Sequence, residues 1–322
     1  MSFSSNVKSE LAHCFGKARH CKIAEVAAML NMCGHISKNG EIFCIKIQTE
    51  NVTVARKYFT LVKKTFNIEC EIVVRRNSQL KKNRVYVLTI NNKDEIAKKV
   101  LLATGILEET TKGQSIVNAV NSLLVSGECC KRSYIRGAFL ASGSISNPEK
   151  TYHMEFVCSD DNYSLDLRNV INSFGMEAKI VKRKEHYVVY LKEGEQIVDL
   201  LNIMGAHVAL MEMENVRILK DMRNNVNRKV NCETANLNKT ITASVKQVED
   251  IIFIKNNRGL GYLPNQLEEM AAIRIEYPEA SLKELGQMLE PPVGKSGVNH
   301  RLRKISEMAE FLREDMGCKN DW

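Results

Sequence analysis

Val26–Gly34 reads VAAMLNMCG, and Ile135–Gly143 reads IRGAFLASG. The closing glycines lie 143 − 34 = 109 residues apart, and each is followed by a similar tail, His35-Ile36-Ser37 and Ser144-Ile145-Ser146. Inside each stretch small residues (Ala27, Ala28; Gly137, Ala138, Ala141) alternate with larger apolar ones. Small side chains on a helix face let a second helix approach closely. A closing glycine suits a helix C-terminus in the left-handed conformation. One such stretch alone is an ordinary amphipathic core helix. Two of them, each at the head of a matching downstream pattern, mark an internal repeat and predict two half-domains packed helix to helix.

The downstream patterns run in parallel. After the first repeated helix, the sequence predicts a strand over 42–47 and a helix over Val52–Phe66, with Val54, Tyr58, Leu61, Val62 and Thr65 near one face. Strands over 69–74 and 84–90 follow, joined by the loop NSQLKKN, then a helix over 94–103 that Gly105 can stop. A connecting helix is predicted over 116–125. The second half then gives the repeated helix, a strand over 152–158, a helix over 163–174, strands over 178–182 and 186–191, and a helix over 196–204. The fold class expected is α+β: two mixed repeats, about 20–105 and 130–205, forming one pseudo-two-fold, saddle-shaped domain over 1–205.

Two short hairpins carry charge in equivalent places. Arg75, Arg76, Lys81, Lys82 and Arg84 lie between Ile72 and Val85 with no acid among them, and Lys179, Lys182, Arg183 and Lys184 form the second cluster. A solvated hairpin tip is often basic for no purpose. Paired placement across a repeat favours phosphate contact, with Arg75, Arg76, Lys182 and Arg183 as the expected DNA contacts.

Beyond the repeats, a Met- and Leu-rich helix is predicted over 207–228. The run NRKVNCETANLNKT (227–240) then breaks the pattern as a linker, and a helix resumes over 244–255. The linker segment is placed at 206–240 and an all-α domain at 241–314. In that domain a helix over 264–276 precedes Pro278, and Ser281-x-x-Glu284 is a capping box for a second helix whose buried side is Leu282, Leu285 and Leu289. Glu290-Pro291-Pro292 ends it. A third helix, from Gly294 to about Arg313, places Val298, Leu302, Ile305, Ala309 and Leu312 on one face. Ser296, His300, Arg303 and Lys304 fall opposite, with Asn299 and Arg301 on the flanks, and no acid occurs from Val293 to Lys304. A short helix, a break and a basic helix form a helix-turn-helix pattern over about 280–313, with the third helix for the major groove.

Composition is consistent with this layout. A chain of 322 residues, 44% hydrophobic and 26% charged, is globular and suits two or three domains. Its net charge of +8 favours a polyanionic partner over an acidic substrate. Ten cysteines without CxxC spacing, and no leader-like start, predict reduced thiols in a cytoplasmic, nucleoid-associated protein. No apolar run is long enough for a membrane. The start, SFSSNVKSELAHCF, predicts a short helix capped by Ser4 or Ser5, with Val7, Leu11 and Phe15 apolar. His13, Cys14, His20 and Cys21 are metal-ligand residue types, but adjacent pairs do not match finger spacing, so no metal or cofactor is expected.

The nine-residue pattern ending in glycine resembles the LAGLIDADG signature of homing endonucleases. There, the residue before the final glycine is an acid, and one acid per helix holds divalent metal over the DNA backbone. Here those positions are Cys33 and Ser142, and the signature's other Asp corresponds to Asn31 and Leu140. Hard cations want oxygen ligands, so the resemblance implies the scaffold without its metal site. Asp160 and Asp161 could be proposed as substitute ligands, but CSDDNYSLDL reads more simply as a helix cap.

A degenerate domain of this kind followed by a helix-turn-helix is similar to the WhiA family of bacterial regulators. The likeness is carried by SFSSNVKSEL at the start, NRKVNCETANLNKT in the linker and PPVGKSGVNHRLRKI at the end. It implies a non-enzymatic, double-stranded-DNA-binding transcriptional regulator acting in sporulation, or in cell division and chromosome segregation. Its C-terminal module looks like the promoter-reading region of sigma factors, which implies a sigma factor or RNA polymerase as a further partner. The rival readings are a saddle that senses a ligand or binds protein, with DNA held only at the C-terminus, and an active nuclease.

Overall fold

Each repeated stretch folds as a long helix that runs directly into a strand. The computed structural model describes residues 2–40, 42–76, 84–91, 95–110 and 113–317. In the first repeat, α2 (Arg19–Cys33) enters β1 (Gly34–Asn39), followed by β2 (Ile42–Thr49), α3 (Val52–Phe66), β3 (Glu71–Arg76), β4 (Arg84–Ile90) and α4 (Ile96–Ala103). In the second, α5 (Glu128–Ser142) enters β7 (Gly143–Ile145), followed by β8 (Met154–Cys158), α6 (Asp161–Asn172), β9 (Lys179–Arg183), β10 (His186–Leu191) and α7 (Gly194–Met204). Both sheets are antiparallel and share one strand order, β1-β2-β4-β3 and β7-β8-β10-β9. The loop NSQLKKN, with Lys81 and Lys82, lies outside the described residues, as does Asp94.

The two closing glycines do not adopt the left-handed conformation expected of them. Gly34 has φ −76° and Gly143 φ −74°, both extended. Glycine is needed for space instead. A Cβ on Gly34 would stand 2.4 Å from the Leu30 carbonyl oxygen, and one on Gly143 would stand 2.4 Å from the Phe139 ring. The helix ends and the strand begins within one residue, so β1 and β7, absent from the sequence-based pattern, occupy the short tails.

Among the described residues α2 and α5 pack together more extensively than any other helix pair. Gly137 sets their approach: a Cβ there would lie 2.5 Å from the Glu25 carbonyl oxygen and 3.0 Å from the Ala28 Cβ. Glu25 itself is fully buried. Its carboxylate accepts from Lys57 Nζ at 2.6 Å, from Arg136 Nε at 3.1 Å and from Arg136 Nη2 at 3.1 Å. Lys57 also donates to the Leu11 carbonyl at 2.9 Å and to that of Cys14, and Arg136 donates to the Met204 carbonyl at 3.1 Å. Burial lowers the Lys57 ammonium below its ordinary pKa, and the Glu25 charge opposes that shift. One anion thus joins α2, α3, α5 and the end of α7.

The N-terminal helix, α1 (Phe3–Leu11), is capped by Ser2, not by Ser4 or Ser5. Ser2 Oγ accepts from Ser5 N at 3.2 Å. The cap one turn earlier brings Phe3 into the core beside Val7 and Leu11, whereas Phe15 stays exposed. No connecting helix spans 116–125. Leu107–Thr110 (β5) and Gly113–Ile116 (β6) form a hairpin that takes Ile116, and only Ser122–Val125 turns helically, capped by Asn121.

The described residues fall into two compact units, one up to Asp221 and one from Met222. The predicted break at 227–240 is helical: α8 runs unbroken from His207 to Arg258. No Gly or Pro interrupts it, and Asn and Thr each cost only a few tenths of a kcal/mol in a helix. The second unit adds α9 (Asn265–Glu276), α10 (Leu282–Gln287) and α11 (Lys295–Gly317) around Ile251, Ile254, Met270, Leu285, Leu302 and Ile305.

Candidate nucleic-acid interface

The second unit builds its surface from the apolar stripe upward. Val298, Leu302, Ile305, Ala309 and Leu312 are all buried, which fixes the rotation of α11. The Ser281 capping box is formed, with Glu284 Oε2 accepting from Ser281 N at 2.8 Å. The turn between α10 and α11 closes through Val293 N donating to the Gly286 carbonyl at 2.8 Å. Ser296, Asn299, His300, Arg303 and Lys304 are exposed together on the acid-free half of α11. Arg301 is half-buried and donates weakly to the Gln266 carbonyl at 3.5 Å, so it braces α9. Arg303 is 78% exposed and pairs with Glu307 one turn later at 3.0 Å. An exposed pair of that kind contributes less than about 1 kcal/mol and is readily exchanged for another acceptor.

The first unit places Lys182 and Arg183 on different faces of its second sheet. Strand side chains alternate between faces, so register decides which cations share a surface. Arg75 pairs with Val85, on the same face as Lys46 and Thr89 and away from the buried Ile45, Ile47 and Leu88. Arg76 pairs with Arg84 in the backbone ladder. In the second sheet Arg183 stands on the corresponding outward face with Lys179 and Glu155. Lys182 is out of phase with it and lies over the Tyr187 ring at 5.3 Å. Arg75 and Arg183 are therefore the equivalent outward pair.

Arg183 is not free. Its Nη1 meets Glu155 Oε2 at 3.0 Å, and that carboxylate also engages His153 Nε2 at 3.1 Å and Ser144 Oγ at 3.1 Å. Burial pushes the Glu155 carboxyl upward, but the contacts from His153, Ser144 and Arg183 outweigh it and hold the group below its ordinary range. Glu155 therefore stays anionic and attenuates the charge of Arg183.

The positions matching the endonuclease acids are occupied otherwise. Burial pushes the Cys33 thiol up to about 12, against the opposing effects of Tyr58 and Lys8, so it is neutral near pH 7. Its Sγ donates to the Met29 carbonyl at 3.2 Å. Ser142 Oγ donates back to the Ala138 carbonyl at 3.4 Å. Asn31 donates to the Tyr134 hydroxyl at 3.1 Å, across to α5. Asp160 accepts from Asn162 N at 2.8 Å and caps α6, as its local sequence implied.

One cluster escaped the sequence-based reading. His20 and Cys21 meet Cys129 and Cys130, with one donor atom from each within 4.8 Å of all the others. His13 and Cys14 are elsewhere, bonded to Ser9 and Gly205. The signal was available in the spacing: His20 to Cys129 and Cys21 to Cys130 repeat the 109-residue offset of Gly34 to Gly143.

Three family models match consecutive parts of the chain. They are the WhiA N-terminal LAGLIDADG-like domain over residues 19–107, the WhiA LAGLIDADG-like domain over 131–223, and the WhiA C-terminal HTH domain over 226–309. The chain belongs to the WhiA family. A protein of Lachnoclostridium phytofermentans named probable cell division protein WhiA is 53% identical over 315 residues, covering 98% of this chain and 100% of that one. Proteins of the same name from Clostridium botulinum (strain Hall) and Alkaliphilus oremlandii are 51% and 53% identical, covering 98% of this chain and 99% and 98% of theirs. The crystal structure of full-length DUF199/WhiA from Thermatoga maritima superposes with a TM-score of 0.60 at 24% identity, covering 96% of this chain and 98% of that one. That likeness establishes the α+β, LAGLIDADG-like fold with a helical C-terminal region. Among the described residues, no helix is long and apolar enough to cross a membrane.

Proposed function

We propose that the chain is a non-enzymatic, sequence-specific binder of double-stranded DNA that regulates transcription in cell division. The observation that carries this reading is the acid-free outward surface of α11, where Ser296, Asn299, His300, Arg303 and Lys304 are exposed side by side. The N-terminal part of a recognition helix meets base edges, and Arg303 has the reach to give a guanine two hydrogen bonds. The relatives named probable cell division protein WhiA support the cell-division part of the reading; sporulation and chromosome segregation rest on family resemblance alone. The reading includes no protein partner such as a sigma factor or RNA polymerase.

Arg303→Ala should lose roughly 1–3 kcal/mol of preference for a cognate duplex over a scrambled one while keeping non-specific affinity. Binding of the full chain to both duplexes, after selection of bound sites from a random pool, measures it. A folded variant that discriminates like the parent would move base reading elsewhere. In the same samples Mg²⁺ or Mn²⁺ should produce no nicking of bound plasmid, because a neutral thiol and a hydroxyl replace the metal-holding acids. Protein-dependent cleavage lost in Asp160→Ala or Asp161→Ala would overturn the non-enzymatic part.

The outward sheet faces supply affinity without reading bases, since phosphate contacts position a protein but do not specify sequence. Arg75→Ala with Arg183→Ala should weaken binding alike on all duplexes and flatten its salt dependence. Glu155→Gln should do the opposite, because it releases Arg183 and removes an anion from the same face. An identical salt slope in all three proteins would leave DNA on α11 alone.

A further inference from the structure

We propose that His20, Cys21, Cys129 and Cys130 bind a single Zn²⁺ ion that clamps the first turns of α2 and α5 together. His20 Nδ1 stands 3.0 Å from Cys130 Sγ and 3.5 Å from Cys21 Sγ, and all four donor atoms lie within 4.8 Å of one another. Tetrahedral zinc, with Zn–S near 2.3 Å and Zn–N near 2.0 Å, holds its ligands about 3.5–3.8 Å apart. The four atoms need only small side-chain adjustments to reach that spacing.

The donor set selects the metal class. Three thiolates and an imidazole are soft to borderline ligands suited to zinc, and no carboxylate joins them to favour Ca²⁺ or Mg²⁺. Four protein ligands leave no open position, so the site is structural, not hydrolytic. It therefore does not revive the endonuclease chemistry, whose acids stood at the other ends of these helices.

The repeat explains how adjacent pairs come to share one ion. His20-Cys21 and Cys129-Cys130 occupy the second and third residues of α2 and α5. The pseudo-two-fold relation of the repeats brings those two first turns side by side. Each contributes one exposed and one buried donor: His20 and Cys129 face solvent, while Cys21 and Cys130 are each 6% exposed and pack with Ala24 and Ala18. The exposed pair leaves a route for the ion. The surroundings are close-fitting, since a Cβ on Gly16 would lie 2.8 Å from the Cys21 Cβ. Burial and the neighbouring thiols push the Cys21 thiol up and the Cys130 thiol up to about 12, so in the metal-free protein both hold the protons that an ion must displace. Each thiol releases its proton on binding, so affinity should rise with pH.

The test uses the full-length chain, purified under reducing conditions and loaded with Zn²⁺ or Co²⁺ before desalting. One metal per chain is expected, with thiolate-to-cobalt charge-transfer bands, a tetrahedral ligand-field spectrum, and a melting temperature that falls when a chelator strips the zinc. Cys129→Ser and His20→Ala alter exposed side chains, so both should fold. Each should weaken metal binding by more than the roughly 10–100-fold that loss of an outer-shell partner costs and should abolish the chelator-sensitive part of the melting temperature. Circular dichroism and duplex binding check that the variants are folded. No metal retained by the reduced parent would overturn the proposal. So would a disulfide between Cys21 and Cys130 as the stable form under reduction, iron with sulfide in place of zinc, or an unchanged cobalt spectrum in the folded Cys129→Ser or His20→Ala variant.

Discussion

Replacing Glu25 by Gln should destabilise the first unit by about 3–5 kcal/mol, because it leaves two cations buried without their anion. Glu25 and Lys57 have no exposed side-chain surface, and Arg136 is 9% exposed. The carboxylate joins α2, α3 and α5 by neutralising the two cations that those helices bury beside it. The loss should depend on pH with a definite sign. Burial already lowers the Lys57 pKa, and removing the carboxylate lowers it further. A base whose folded pKa lies below its unfolded value binds fewer protons folded than unfolded, so stability rises with pH. The variant should therefore recover part of its deficit as pH climbs towards the unfolded lysine value of about 10.4, while Arg136 keeps its charge. Urea unfolding across that range, followed by circular dichroism, measures both effects. A deficit under about 1 kcal/mol, or one that grows with pH, would show that the triad is not the constraint described.

How far the chain could be read in advance depended on whether the deciding interaction was local. The spans of α3, β4 and β10 match their sequence patterns to the residue. In α3 Asn51 caps the first turn and Asn67, at φ 57°, ends the last, both within the helix's own neighbourhood. Ser281 and Glu284 similarly announce α10. Where the constraint came from elsewhere in space, local rules misled. Gly34 and Gly143 read as helix stops, yet their backbones are extended and their lack of a side chain accommodates Leu30 and Phe139. The Asn- and Thr-rich run read as a linker because propensity is a weak argument; without a Gly or Pro, the helix continued through it.

The candidate interface shows the same division. The outward face of α11 follows from an apolar spacing of four and three residues, and every stripe residue is buried. The sheet cations could be counted in sequence but not assigned to faces. One step along a strand separates Lys182 from Arg183, and only the ladder register tells which of them looks outward. The Glu155 contact to Arg183 joins residues 28 apart in sequence, beyond the reach of a local charge count. The His20-Cys21 and Cys129-Cys130 cluster was hidden by seeking spacing within one segment, when the repeat offset was the relevant distance.

Gly286→Ala should abolish discrimination between cognate and scrambled duplexes while every candidate base-reading residue remains in place. A Cβ at Gly286 would stand 2.0 Å from the Val293 carbonyl oxygen and 3.1 Å from Val298 Cγ2. The first is a backbone atom held by the turn itself, because Val293 N donates to the Gly286 carbonyl. It cannot move aside as a side-chain tip would. The methyl must push α10 and α11 apart, at or above the roughly 1–3 kcal/mol usual for overpacking. Leu302→Ala attacks the same packing from the opposite direction by opening a cavity under α11, at roughly 2–5 kcal/mol. The two changes, one adding and one removing volume, should both lower the unfolding midpoint of the second unit. The melting of the first unit should be unaffected, and phosphate-driven binding through Arg75 and Arg183 should persist. Discrimination that survives in a Gly286→Ala protein whose second unit is demonstrably destabilised would mean that the turn between α10 and α11 does not position the reading helix.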